Sequence, residues 1–323
     1  MGSFGSLYMD DTIDNLLRSL PDREKELGSE SPQFADYLTA ISLALYHDSR
    51  FAEAESLFRR ALSIRETVLA VDHPDIGVAL NHVGMVLLAQ GHFSEAEPLF
   101  KRALAIQEKA LGFEHLSIAA GLNNLAELYR VLNRYKPAET LYRRALAIRE
   151  RHMGHDHPEV AEVLNNLGLL YYDQGRYVDA EPLYRRVLQI QEKQLGKEHP
   201  AVATTLTNLA ALYTDKEHFE KAEPLHIRAL SIRENILSPE HPKVAESLNN
   251  LGWLYHQNGN YIRAESMYAR ALQIWERSLG PEHSHVATCL ENYADLLRKT
   301  NRATDAAALE ERVYVIRRKN RSA

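Results

Sequence analysis

Three residue types in this 323-residue chain could do chemistry, and each returns at a fixed step. His73, His115, His157, His199, His241 and His283 stand 42 residues apart. Imidazoles ligate zinc at about 2 Å, whereas residues that recur once per packed helical unit lie roughly 8–10 Å from their copies. Successive copies therefore cannot share an ion. Only His283 with His285, and His152 with His155 and His157, have a second imidazole close in sequence. The spacing predicts loop histidines bonded to nearby backbone, with a surface metal site around His152 to His157 as the alternative. No metal or cofactor is expected.

Arg102, Arg144, Arg186, Arg228 and Arg270 recur at the same step and could form a ridge for phosphates. However, Glu55–Arg59, Glu97–Lys101, Glu139–Arg143 and Glu181–Arg185 place opposite charges four residues apart. That is the usual support of an exposed helix, so a solvated outer surface is expected instead. The asparagines are more distinctive: Asn123-Asn124, Asn165-Asn166 and Asn249-Asn250 occur in pairs, and Asn81, Asn208 and Asn292 singly. An amide competes for backbone hydrogen bonds and is a poor helix-interior residue. It also offers both a donor and an acceptor, so a ladder of amides suits the peptide groups of an extended ligand. Alternatively, one amide of each pair bonds to the adjacent copy and tunes stacking. No glycine-rich phosphate loop, nucleophile elbow or carboxylate pair stands apart from the repetition, and no enzyme activity is expected.

The elements that position these residues are clearest from Pro158 to Gly196. Val160, Leu164, Leu167, Gly168 and Tyr171 form one apolar stripe at helical spacing. Asp173-Gln174-Gly175-Arg176 breaks it, with Gly175 where a helix end takes a left-handed residue. Tyr177, Ala180, Leu183, Tyr184, Val187, Leu188 and Ile190 line a second helix, and Pro158 and Gly196 bracket the pair. The same hairpin returns every 42 residues, with starts near Pro32, Pro74, Leu116, Pro158, Pro200, Pro242 and Ser284. A fixed period of this size means a solenoid. Residues 10 to 27 match the second helix in degenerate form, with Pro21 where Ser63 stands, which predicts a capping helix kinked or broken at Pro21. The expected organisation is residues 1 to 31 as a disordered start plus cap, residues 32 to 319 as seven repeats, and residues 320 to 323 as a basic tail.

Leu164, Gly168, Tyr171, Ala180, Tyr184 and Val187 follow the small-and-large alternation of the tetratricopeptide repeat. With the long second helix and the connection Leu-Gly-x-Glu/Asp-His-Pro, the chain resembles the repeats of kinesin light chains and kinesin-light-chain-like proteins over residues 32 to 319. The resemblance implies an all-α, right-handed α-solenoid whose first helices line a concave groove that holds extended peptides. Rows such as Glu162, Asn165, Leu169, Asp173 and Glu246, Asn249, Trp253, Gln257 would face that groove. The candidate peptide-binding residues are Asn123, Asn165, Asn166, Asn208, Asn249, Asn250, Trp253, Glu127, Arg130, Tyr172 and His256. Trp253 is the natural anchor. The rows lean acidic, unlike an acid-seeking groove, and point to a ligand with basic and apolar residues. Residues 1 to 31 are too short for the heptad coiled coil of kinesin light chains, so motor association does not follow.

Composition is ordinary for a soluble helical protein, and the net charge of −6 gives no reason to expect nucleic acid. The lone Cys289, beside Val286 and Leu290, reads as a packed thiol in a reducing compartment. No stretch approaches a membrane span, and the acidic start lacks the features of a signal peptide, so a cytoplasmic protein is expected. Met1-Gly2-Ser3-Phe4-Gly5-Ser6 fits the loose N-myristoylation pattern, but disorder is the preferred reading. Together these features predict a scaffold or adaptor that binds an extended peptide or partner protein. The alternative is a ligand-responsive sensor that changes curvature on binding a small peptide or metabolite.

Overall fold

A computed structural model describes residues 13–320. The N-myristoylation pattern, the expected disorder at residues 1 to 8 and the last three residues of the basic tail lie outside the described residues. Every element among them is an α-helix. Helix α1 (Ile13–Leu27) precedes seven hairpins: α2 (Pro32–His47) with α3 (Phe51–Val68), α4 (Pro74–Ala89) with α5 (Phe93–Leu111), and α6 (Ile118–Val131) with α7 (Tyr135–Met153). Next come α8 (Pro158–Asp173) with α9 (Tyr177–Leu195), and α10 (Pro200–Asp215) with α11 (Phe219–Ile236). Helices α12 (Pro242–Gln257) with α13 (Tyr261–Leu279), and α14 (Ser284–Lys299) with α15 (Ala303–Asn320), complete the series. The chain divides into two compact units between His155 and Asp156. Within each, helices pack on their chain neighbours, and first helices of successive hairpins also touch, as α4 with α6 and α10 with α12.

The repeated histidines start the first helices. Nδ1 of His73, His157, His199, His241 and His283 accepts the backbone N–H two residues on at 3.1–3.3 Å, the backbone bond expected from sequence. This satisfies one of the donors that a helix start leaves unpaired. Proline at the first helical position follows in four of the five, where its fixed φ suits the helix. Leu116 stands in the proline slot of the third hairpin, and α6 begins later, at Ile118, although His115 keeps its bond to the Ser117 N–H at 3.2 Å.

Each hairpin turns through one left-handed residue: Ser49, Gly91, Asn133, Gly175, Glu217, Gly259 and Asn301, with φ from 57° to 79°. Glu217 fills with a side chain the slot that Gly175 fills freely, at a cost of about 1 kcal/mol. Packing within a hairpin follows a ring-against-small-residue rule. Phe58, Phe100, Tyr142, Tyr184, His226 and Tyr268 occupy one slot of the second helices and are buried. A Cβ on Gly252 would lie 2.7 Å from the Tyr268 ring, so only glycine allows that approach. In the last hairpin Glu310 takes the ring slot and accepts from Nε and one terminal nitrogen of Arg298, at 2.7 and 2.6 Å.

The cap corrects one expectation: α1 runs unbroken through Pro21. A proline removes a single helical N–H. Leu20 and Leu27, either side of it, pack on the cluster of Phe34, Ala35, Leu38, Ala61 and Ile64, and Ser19 Oγ lies 2.9 Å from the Tyr37 hydroxyl.

Candidate functional site

The asparagines of the first helices form rungs between hairpins. Asn124 donates to Asn81 at 3.2 Å, Asn208 to Asn165 at 3.0 Å, and Asn292 to Asn249 at 3.2 Å. In these three rungs the amide in the second slot of one repeat reaches the carbonyl oxygen of the amide in the first slot of the repeat before. Asn81, Asn123 and Asn249 are buried, while Asn165, Asn166, Asn208 and Asn250 are half-buried. Asn165 also offers its amide to Asn166 at 3.5 Å. A buried polar group needs such a partner, so these amides are engaged in stacking before any ligand arrives.

Beside the rungs, the structure brings the other candidates together in three local groups. Glu127 and Arg130 form a two-pronged pair at 2.7 and 2.9 Å, and the buried Tyr142 hydroxyl donates to Glu127 at 2.7 Å. Burial works against the Glu127 carboxylate, but the bonds from Arg130 and Tyr142 outweigh it and hold its pKa below the ordinary value. Tyr172 donates to Asp215 at 2.5 Å, and Tyr177 lies 3.5 Å from the same carboxylate. Burial, then Asp215, pushes the Tyr172 phenol up.

The third group surrounds Trp253, which is 37% exposed. The His256 ring meets Trp253 edge-on at 5.8 Å and Tyr261 at 6.0 Å, and its Nε2 lies 3.8 Å from Asp295. His256 is buried, and its Nδ1 has no hydrogen-bond partner. Burial pulls its pKa below the ordinary 6.5; Asp295 opposes this and Lys299 adds to it. The imidazole is thus neutral at pH 7. Tyr261 was not among the expected residues. Its signal is an aromatic directly after the turn, a slot also held by Tyr135 and Tyr177. A further feature the sequence did not suggest is an open cavity of about 340 Å³ at the start of α8 and α10, lined by Pro158, Ala161, Glu162, Asn165, Ile190 and Thr204. In its lining, the Thr205 hydroxyl donates to Gln191 at 2.7 Å.

The second helices are organised differently. Arg60, Arg102, Arg144, Arg228, Arg270 and Arg312 each pair with a glutamate of the preceding second helix or of α1, namely Glu24, Glu66, Glu108, Glu192, Glu234 and Glu276, at 2.5–2.7 Å. Within each helix the pairs Glu55–Arg59, Glu97–Lys101, Glu139–Arg143 and Glu181–Arg185 close at 2.7–3.1 Å. Among the described residues no group of three or more His, Cys, Asp or Glu side chains is placed to hold a metal. His152 Nε2 instead lies 2.9 Å from the Glu114 carbonyl oxygen, and His155 lies 3.2 Å from Glu150. Cys289 is buried, its thiol pushed up to about 12 by burial and then by Glu276.

A sequence profile for the tetratricopeptide repeat matches residues 33–109, 75–151, 117–193, 159–235, 203–268 and 254–319. Comparison with curated proteins finds no match. Among solved structures, a kinesin light chain of Podosopora anserina with nearly identical TPR-like repeats is 26% identical, with a TM-score of 0.56 over 64% of this chain and 98% of that one. BtubC (BKLC) from P. vanneervenii is 23% identical, with a TM-score of 0.58 over 84% of this chain and 94% of its own. The apo form of RapI is 15% identical, with a TM-score of 0.65 over 90% and 99% respectively. The last two are similar to this chain in fold alone.

Proposed function

The chain belongs to the tetratricopeptide repeat family, in its kinesin-light-chain-like form, and on that premise we propose that it is a non-catalytic scaffold that binds an extended peptide or partner segment along its first helices. Proteins of this family typically serve as protein–protein interaction scaffolds. One observation carries the reading. The arginines of the second helices are matched by glutamates, whereas the first helices keep exposed side chains such as Trp253 and Asp295. A ligand of nucleic acid would need the cations that those glutamates already hold. No described helix is long and apolar enough to cross a membrane, which suits the cytoplasmic placement proposed here.

In this proposal Trp253 anchors the ligand and Tyr172, Glu127, Arg130 and His256 shape the groove. Asn123, Asn165, Asn166, Asn208, Asn249 and Asn250 present whatever amide capacity the rungs leave. The test is a peptide-display selection against the wild-type chain and against Trp253→Ala, whose side chain is exposed and whose loss leaves the rungs intact. A motif enriched on wild type and lost on Trp253→Ala supports the first-helix site. Enrichment that survives moves the site to the second helices, and no enrichment removes the peptide reading.

A further inference from the structure

The Trp253 group is a receptor for an arginine side chain, we infer, and this rests on the peptide-binding reading above. One pair of slots in the repeat is filled with contrasting chemistry in two hairpins. In the third hairpin Glu127 and Arg130 sit one helical turn apart, and the protein's own guanidinium forks onto its own carboxylate. Three repeats later the same two slots hold Trp253 and His256. The carboxylate has moved to the adjacent hairpin, as Asp295, in the Trp253 slot of α14. The neutral imidazole reaches within 3.8 Å of it but brings no positive charge.

Asp295 is also distinct among the acids of its neighbourhood. Glu291 is held by Arg317 at 2.5 Å, and Glu246 by Lys243 at 2.9 Å and Arg233 at 3.4 Å. Asp215 accepts from Tyr172. Arg298, one turn from Asp295, is drawn away onto Glu310. Among the described residues no Lys or Arg nitrogen pairs with Asp295; Lys299, four residues on, stands outside pairing distance. An exposed carboxylate therefore stands without a cation in the same group as an exposed indole, and the buried His256 ring contacts both.

That combination selects a guanidinium. A cation is attracted to an aromatic face, tryptophan best of all. A planar guanidinium can stack on the indole while it forks onto a carboxylate, which an ammonium cannot do. The incoming arginine takes the place that Arg130 takes in the third hairpin.

The test uses the full chain. The indole N–H resonance of Trp253, assigned by its loss in Trp253→Phe, is followed by NMR. The probe is the peptide acetyl-Gly-Gly-Arg-Gly-Gly-amide, against a counterpart in which citrulline, uncharged and nearly the same shape, replaces arginine. The arginine peptide should shift the resonance to saturation and the citrulline peptide should not. Asp295→Asn, at an exposed site and with its melting checked, should weaken the arginine peptide about tenfold, the loss of one charge-assisted contact. Equal shifts from both peptides, or an Asp295→Asn variant that binds as well as wild type, would overturn the inference. The display selection separates the two readings. Motifs that depend on Trp253 but carry no arginine sink the arginine receptor and leave the groove. An arginine-specific shift with no motif enriched does the reverse.

Discussion

The first helices of the two units, taken each by itself, share a backbone pattern and differ in chemistry. In the first unit they present Val78, Met85, Ala89, Ala120 and Val131; of the carboxylates there, Asp36 is paired with Arg65, and Glu127, in the Trp253 slot, is closed off by Arg130 and Tyr142. In the second unit the corresponding faces carry Glu162, Asp173, Asp215, Glu246, Trp253 and Asp295. The ring slot records the same divergence. Tyr142 has an acceptor in Glu127, but with Trp253 in that place the buried Tyr268 hydroxyl has none. A repeat fixes where a side chain stands, and the residue in the slot decides whether its polarity is satisfied internally or left for a partner.

The largest effect that would sharpen this comparison is acid sensitivity, because His82 in the first unit and His226 in the second are each held well below the ordinary imidazole value. Burial, with Arg65 adding, holds His82 at about 4, and burial, with Arg233 adding, holds His226 at about 4, against an ordinary 6.5. The unfolded chain therefore takes up these protons first as pH falls. Each imidazole contributes stability that is complete above about pH 6.5 and lost toward pH 4, up to about 3 kcal/mol apiece. Denaturant midpoints at pH 7 and 4.5 measure it. His226→Phe, the residue type of the same slot at Phe58 and Phe100, should abolish the His226 share only, as read by hydrogen exchange in the second unit. A variant that loses as much as wild type would break the assignment.

Next in size is Glu127→Leu, which leaves the Tyr142 hydroxyl and the Arg130 guanidinium without their acceptor. A loss of about 2–3 kcal/mol is expected. The reverse change in the other unit, Trp253→Glu, should give Tyr268 an acceptor and gain about 1 kcal/mol. Thermal melts of both variants decide the matter, and equal effects in one direction would contradict the slot argument. The rungs should be alike in both units: Asn124→Ala and Asn292→Ala should each cost about 1 kcal/mol, seen as faster amide exchange in α4 and α12 as well as in the mutated helix. Smallest is Glu217→Gly, which relieves the left-handed turn and should raise the melting midpoint by the equivalent of about 0.5–1 kcal/mol.

Much of this was legible in the sequence because the fold repeats. Helix starts, turns and the ring-against-small-residue slots recur 42 residues apart, so each is written into the chain several times. The unbroken α1 was not legible, since Pro21 is a local signal and the cluster around Phe34 on which Leu20 and Leu27 pack is a long-range contact. The engagement of the asparagines was left open for the same reason. Periodicity shows that Asn165 and Asn208 occupy related slots, but the bond between them depends on the offset of two stacked helices. The Glu–Arg pairs of the second helices span neighbouring repeats, and a search for partners four residues apart does not find them. Asp295 was visible as one acid among several; that it lacks a cation emerges only once Arg298 is seen on Glu310.

Those inter-repeat pairs have a consequence for how such a chain can change length. A second helix such as α5 carries an arginine that faces backward, Arg102 to Glu66, and a glutamate that faces forward, Glu108 to Arg144. Such a hairpin is therefore a plug at one edge and a socket at the other, and only in the last does an arginine, Arg318, take the socket slot. An in-frame duplication or excision of one complete unit joins a plug to a socket of the same kind and leaves no charge stranded. A cut at any other point leaves the two edges mismatched.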